Sequence, residues 1–210
     1  EGKKSVVQVA DAKNLRRGLL ITTQLAEMGL PIVLVLNMWD ELLDRGMNVD
    51  VNTLQKFLNV PIIKTIATHR VGISSLLTSL SSASVPALRI DYGQLIEEGI
   101  TKVEEALCGE AVVKKRALAI MLLSGDDALE DKLKDSLLKE SLDKVRHIRE
   151  SIQGHFSNPL SYVINIKRAS FVDAMVEKVA MARTKGIETS PFLRGLFFHF
   201  LTPLVAFFMG

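Results

Sequence analysis

The chain has little cysteine, histidine or aromatic side chain to work with. Cys108 is its one cysteine in 210 residues. An intrachain disulfide and a cysteine metal cluster are therefore excluded, which suits a reducing compartment, and Cys108 reads as a small core residue near a helix end. His69, His147, His155 and His199 are scattered without metal-ligand spacing, so no metal site is expected. Charge of one sign is also missing. The 26 Lys and Arg against 24 Asp and Glu leave a net +2, without the basic excess that marks a nucleic-acid partner. No Ser/His/Asp arrangement and no pair of catalytic carboxylates stands out, and no catalytic residue is assigned. The sequence opens Glu1-Gly2-Lys3-Lys4, without an initiator Met or a signal peptide, and stops inside an apolar run at Gly210. The reading is of an internal fragment.

What is present is a substantial apolar fraction, 48% with mean hydropathy +0.22, enough for one large or two small domains. Residues 5–10 (Ser-Val-Val-Gln-Val-Ala) read as a short buried strand. Asp11 and Asn14 offer caps for a helix carrying Leu15, Leu19, Leu20, Leu25 and Met28 and closed by Gly29. Residues 31–36 form a continuous apolar strand of the kind covered on both faces in parallel sheets. A short helix follows over 39–45. Asp50 can cap another, with Leu54, Phe57 and Leu58 on one face. Residues 60–66 read as a third strand, and 72–81 as a helix with Ile73, Leu76, Leu77 and Leu80 inward. The alternation of strand and helix predicts a parallel sheet with right-handed crossovers.

Ser81-Ser82-Ala83-Ser84-Val85-Pro86 is a linker by composition, and beyond it the strand signal vanishes. Tyr92, Leu95, Ile96, Ile100, Val103 and Leu107 keep helical spacing, as do Ala117, Ile120, Met121 and Leu123. A charged helical stretch covers 127–152, its charge run read as a solvated face. A last helix starts at Asn158-Pro159 and carries Tyr162, Ile166, Phe171, Met175 and Val179. Roughly four helices are expected. Residues 191–210 differ in kind, being strongly apolar and aromatic from Leu196 onward. The clean run is shorter than the roughly 20 residues that span a bilayer, and Arg183, Lys185 and Arg194 precede it, which would leave the earlier residues on the cytoplasmic side. The segment is read as the start of a membrane part, against a core helix of a larger soluble protein. His199 reads equally as an intramembrane titratable group and as an interfacial one. The expected domains are 1–84, 88–184 and 191–210.

Asn37-Met38-Trp39-Asp40, directly after the apolar strand, has the form Asn-x-x-Asp with which GTPases read guanine. One carboxylate can accept from both the ring N–H and the exocyclic amine of guanine, a donor pair that adenine lacks. The Asn amide can bond the N7 side of the purine and tie neighbouring loops together. Ligands of open parallel sheets bind beyond the carboxyl ends of the strands, where Asn37, Asp40 and the loop Ile66-Ala67-Thr68 should meet. GTPases place a Ser-Ala-x loop there, whose backbone N–H meets the guanine oxygen. Here Ile66 stands for Ser, so the Ala67 backbone contact survives and a hydroxyl contact does not. The bland alternative is a helix cap after a strand. Trp39 reads as packing, and His69 as a solvated loop residue.

The motifs around this loop resemble a known family. Residues 6–17 (Val-Val-Gln-Val-Ala-Asp-Ala-Lys-Asn-Leu-Arg-Arg), Thr22-Thr23-Gln24-Leu25, residues 29–40 and Arg45-Gly46 are similar to the later half of the GTPase domain of FeoB-type ferrous iron transporters. Met38 fits, because that family typically carries Met where other GTPases have Lys and so keeps the apolar contact over the base without the charge. Residues 168–173 (Arg-Ala-Ser-Phe-Val-Asp) look like the family's Arg-Tyr-Ala-Phe-type segment. Ser190-Pro191 stands where the family usually has His-Pro before its first membrane helix. The resemblance implies a P-loop GTPase-like α/β part, an all-α helical domain that modulates nucleotide affinity, and a membrane part that carries ferrous iron. It implies guanine contacts from Asn37, Met38, Asp40, Ile66, Ala67 and Thr68, with GTP or GDP as ligand, and a position on the cytoplasmic face of the inner membrane for residues 1–184. No Gly-x-x-x-x-Gly-Lys-Ser/Thr loop and no Asp-x-x-Gly occurs in the 210 residues. The phosphate and Mg²⁺ sites are expected upstream, the missing half of the G domain becomes an expected partner, and a hydrophobic sheet edge should lie exposed. Self-association stays open. The alternatives are a soluble GTPase of another type with a helical appendage, and a non-catalytic α/β binding module.

Overall fold

The structure, a computed structural model, describes residues 5–107, 113–133 and 139–182. Three parallel strands make the first sheet: β1 (Val6–Asp11), β2 (Ile32–Asn37) and β4 (Ile62–Lys64), in the order β1-β2-β4. β2 is central and buried along five successive residues, as its unbroken apolar sequence demands of a strand covered on both faces. Helix α1 (Leu15–Met28) makes the first crossover. It ends where Gly29 turns left-handed (φ +73°), which frees the Gly29 N–H to bond the Ala26 carbonyl. The second crossover runs through α2 (Trp39–Asp44), the short strand β3 (Met47–Val49) and α3 (Val51–Leu58). Asp50 caps α3 by accepting from the Thr53 N–H at 3.0 Å. Asp11, by contrast, caps only the 3₁₀ turn Ala12–Asn14, and Asn14 makes no side-chain cap to α1.

The described helices after the linker are α5 (Gln94–Ala106), α6 (Lys115–Leu123), α7 (Asp127–Leu133), α8 (Lys139–Gln153) and α9 (Leu160–Val179). Two apolar clusters result. One gathers β2, α1 and α3 around Leu34, Leu54 and Leu58, and the other gathers α5, α6 and α8 around Ile100, Ile120 and Val145. Helix α9 serves both, with Leu160 and Ile164 in the second cluster and Val172, Met175 and Val179 in the first.

Several expectations are corrected here. Tyr92 precedes α5 rather than belonging to it. Within the stretch 127–152, residues 127–133 and 139–153 are helical. Its Glu130 is buried and ion-paired with Arg146 and Arg149, so the charge run is not simply a solvated face. On α9 the buried stripe is Leu160, Ile164, Arg168, Val172, Met175 and Val179, while Tyr162 and Ile166 are exposed. Helix α4 (Ile73–Ser79) is shorter than expected and buries none of its residues fully, and Leu77 is 63% exposed. A pairing with no sequence signal joins β3 antiparallel to β5 (Ala180–Ala182). Cys108, His199 and the apolar segment 191–210 lie outside the described residues. No helix among the described residues is long and apolar enough to cross a membrane.

Candidate functional site

The parallel register sets Asp11 beside Asn37 at the carboxyl ends of β1 and β2, and Leu36 beside Lys64 on β4. Three connections therefore leave the sheet at one end: 11–14, 37–40 and 65–72. Asn37 ties two of them together. Its side-chain oxygen accepts from the Thr65 hydroxyl at 2.9 Å and from the Ala67 N–H at 3.1 Å. The Trp39 N–H donates to the Thr65 carbonyl at 3.2 Å. With its oxygen committed, Asn37 keeps only its NH₂ for anything else, and that group has no acceptor among the described residues.

The loop 65–72 has its own brace. Ile66 and Val71 exchange backbone hydrogen bonds at 3.2 Å around the 3₁₀ turn Ala67–His69. Gly72 lets the chain close onto the strand. It sits at φ +82°, and a Cβ there would collide with the Lys64 carbonyl oxygen. Ala67, Thr68 and His69 are exposed at the tip. The Ala67 N–H, expected to face a ligand, is shared with Asn37; the Thr68 N–H has no acceptor among the described residues.

Met38 stands in the left-handed region (φ 58°, ψ 40°) with 41% of its surface exposed. That backbone is uncommon for a bulky non-glycine residue, and such outliers cluster at functional sites. Trp39 turns inward at 9% exposure, with the Lys64 ammonium 4.5 Å from its ring centroid. Half-buried Asp40 has no hydrogen-bond or ionic partner among the described residues, although it could accept at four lone-pair positions. On the other side of the loop, Lys13 reaches Glu41 at 2.5 Å, the Met38 sulfur at 3.2 Å and Asp11 at 3.5 Å. The hydrogen bond to Glu41 raises the Lys13 pKa above its ordinary value. Burial works to raise the Asp11 carboxyl, but hydrogen bonds from the Lys13 N–H and Asn14 prevail and hold it low. A neighbouring apolar cleft of about 640 Å³ opens between α1, β3 and the end of α9, past Leu15, Leu20 and Val176. It does not include the 37–40 or 65–72 loops.

A second polar cluster, which sequence reading missed entirely, lies deep between α1 and α9. Glu27 accepts from Arg168 at 2.8 Å and from the Tyr92 hydroxyl, and Arg168 also donates to Asn165 at 3.1 Å. All three are nearly buried, at 9% for Glu27, 7% for Arg168 and 2% for Tyr92. Burial, with the Glu27 charge beside it, pushes the Tyr92 hydroxyl well above its ordinary pKa, so it stays a donor. The partners are 65 and 141 residues apart in sequence, and only the isolated charges inside apolar stripes hinted at them.

The chain matches two family models, Ferrous iron transport protein B over residues 1–80 and FeoB cytosolic helical domain over residues 92–180. Among curated proteins it is 31% identical over 173 residues to the Fe(2+) transporter FeoB of Staphylococcus aureus, covering 74% of this chain and 26% of that protein. It is 34% identical over 131 residues to an Fe(2+) transport protein A/Fe(2+) transporter FeoB fusion protein of Porphyromonas gingivalis, covering 58% and 16%. The chain thus spans about a quarter or less of these relatives. Among solved structures it resembles mGMPPNP-bound NFeoB from S. thermophilus, with TM-score 0.71 and 27% identity over 86% of this chain and 68% of that one. A GDP-bound mutant of the S. thermophilus FeoB G-domain gives 0.74 and 25% over 84% and 69%. The cytosolic domain of L. pneumophila FeoB, at 23% identity and TM-score 0.71, shares the fold.

Proposed function

The chain belongs to the FeoB family of Fe(2+) transport proteins, and from that premise we propose that its α/β part is the base-reading half of a GTP/GDP site. One observation carries this reading. Asn37 spends its oxygen on Thr65 and Ala67 and so fixes the two loops against each other, while the neighbouring Asp40 carboxylate is left without a partner among the described residues. Asp40 then accepts from the ring N–H and exocyclic amine of guanine. The Asn37 NH₂ donates to the N7 side, and Met38 covers the face of the base. Ile66, Ala67 and Thr68 form the loop around the guanine oxygen. The Ala67 N–H, shared with Asn37, and the Thr68 N–H are the donors available to it.

The phosphates belong to another part of the full-length protein. Nothing in the 210 residues supplies a Gly-rich phosphate loop, and among the described residues no group of three or more His, Cys, Asp or Glu is gathered that could hold a metal ion. These residues do not fit the Mg²⁺ that accompanies GTP, and no hydrolytic step is assigned to them. The missing half of the G domain would join at the free edge of β1, where Val7 and Val9 lie 40% and 61% exposed. By itself the chain is expected to bind GTP negligibly and to hydrolyse none. Residues 88–184 act as the helical regulatory domain, in contact with the α/β part through α9 and the Glu27–Arg168 pair. Residues 191–210 begin the membrane part through which ferrous iron passes as cargo, leaving the rest on the cytoplasmic face of the membrane.

Asp40→Asn in the full-length protein tests the reading. The amide presents a donor where guanine also donates. GDP affinity should fall by about 10- to 100-fold, the value of a charge-assisted pair, and xanthine nucleotides should be favoured instead. Unchanged affinity for every nucleotide would leave Asn37 as a brace between loops of a non-catalytic module, since neither it nor Asp40 caps α2.

A further inference from the structure

The loop 37–41 is anchored from two sides, and only one anchor belongs to the guanine-reading motif. Asn37 holds it to residues 65–67. The second anchor is Lys13, on the turn after β1. Its backbone N–H is fixed by Asp11 at 2.9 Å, and its ammonium lies 2.5 Å from Glu41 and 3.2 Å from the Met38 sulfur. The Lys13 side chain is 8% exposed, so the ammonium is held against the loop instead of ranging through solvent. Met38, by contrast, is open to solvent in a left-handed backbone that its side chain does not favour. An unbranched thioether with three rotatable bonds makes an adaptable but poorly fixed wall.

We infer that Lys13 is a positioning residue of the base site, fixing the Met38 thioether through its ammonium and drawing α2 toward β1 through Glu41, so that the surface for a guanine ring is set before the nucleotide arrives. Two carboxylates, Asp11 and Glu41, orient the ammonium, and the ammonium in turn orients the sulfur. Lys13 itself touches no nucleotide atom; it acts by removing freedom from Met38, which a ligand would otherwise have to remove on binding. Glu41→Gln should therefore act in the same direction as a change at Lys13, and the two together should cost less than their separate effects combined.

The inference rests on the base-reading assignment, and the test separates the two. In the full-length protein, dissociation of N-methylanthraniloyl-GDP should be about two- to fivefold faster for Lys13→Met, the scale of one partly screened ion pair. The preference for GDP over IDP should be unchanged, because Asp40 makes that distinction, and Lys13→Arg should restore the wild-type rate. In the 210-residue chain, whose one tryptophan is Trp39, Lys13→Met should raise acrylamide quenching of that residue with an unaltered Tm. Unchanged dissociation in Lys13→Met overturns the inference whatever the quenching does. Absence of any guanine-nucleotide binding by the full-length wild-type protein overturns the base-reading assignment instead, and unchanged Trp39 quenching in the 210-residue chain would then overturn the anchor as well.

Discussion

Ile32, Leu34 and Leu36 on one face of β2 are wholly buried in the cluster built with α1, α3 and α9, whereas Val33 and Val35 on the other face are buried outside that cluster. The cover on that second face stops at β2. Val7 and Val9, which the register sets beside Val33 and Val35, are bare, and so is Leu77 on α4. Alternation along β1 thus leads to opposite results: Gln8 and Ala10 are buried beneath α1, while Val7 and Val9, which alternate with them, face solvent. Apolar patterning states which faces need cover, not whether this chain supplies it. A strand edge of this kind, unpaired among the described residues, is a template for association, and it coincides with the seam assigned to the rest of the G domain.

That contrast between a closed and an open face can be broken experimentally. The largest effect should come from Arg168→Ala, which strands the Glu27 carboxylate in the closed face. Unfolding free energy from urea titration should drop by about 3–5 kcal/mol, and Glu27→Gln in the same chain should recover part of it. A loss under about 1 kcal/mol would show that the pair does not pin α9 to α1. Next comes a matched comparison of faces. Leu54→Ala should cost about 2–4 kcal/mol, while Val9→Thr should stay within about 0.5 kcal/mol in this chain. A comparable cost for Val9→Thr would mean that the open face is covered after all.

Gly72→Ala should cost about 1–3 kcal/mol, because the residue from which α4 departs has φ +82° and no room for a Cβ. Hydrogen exchange should quicken at Ile66 and Val71 before it does in β2. The smallest effect should be at Asp173, whose hydrogen bond from Arg16 holds its pKa below the ordinary 3.8. A lowered carboxylate pKa gives stability that is present above the ordinary value and lost as pH falls through the lower folded one. The Tm of the wild type should exceed that of Asp173→Asn at pH 6, and the gap should close below about pH 4 and shrink in high salt.

The closed face was legible in the sequence because its signals are local. A continuous apolar run marked β2, Gly29 ended α1 and Asp50 capped α3, and each works through residues within a few positions. The open face was legible in part: the absence of a P-loop predicted an exposed apolar edge, and Val7 and Val9 are exposed on β1, but the bareness of α4 was not foreseen. Leu77 has helical spacing, and spacing cannot show that no neighbour lies opposite. The candidate site was legible in its residue types, since Asn37, Met38, Asp40 and the 66–68 loop do lie on connections leaving the same end of the sheet. What lay beyond reach was who holds whom. Lys13 was one residue in a quoted motif until the fold brought it to Met38, and Glu27, Tyr92 and Arg168 find one another only across long sequence separations. The three-residue strands β3 and β5 are too short for any period to register.

That last pairing has a mechanical side. Met47 pairs with Ala182 and Val49 with Ala180, so a load applied at Ala182 is delivered directly to β3, which follows α2 and the base loop by a few residues. The coupling is directional. Tension along the strands loads the whole short ladder in shear, whereas tension across them unzips it from the Met47 end, the end nearest α2. A pull at residue 182 therefore meets two kinds of hold, the packing of α9 on α1 and α3 and the three residues of backbone pairing that lead to β3 and α2.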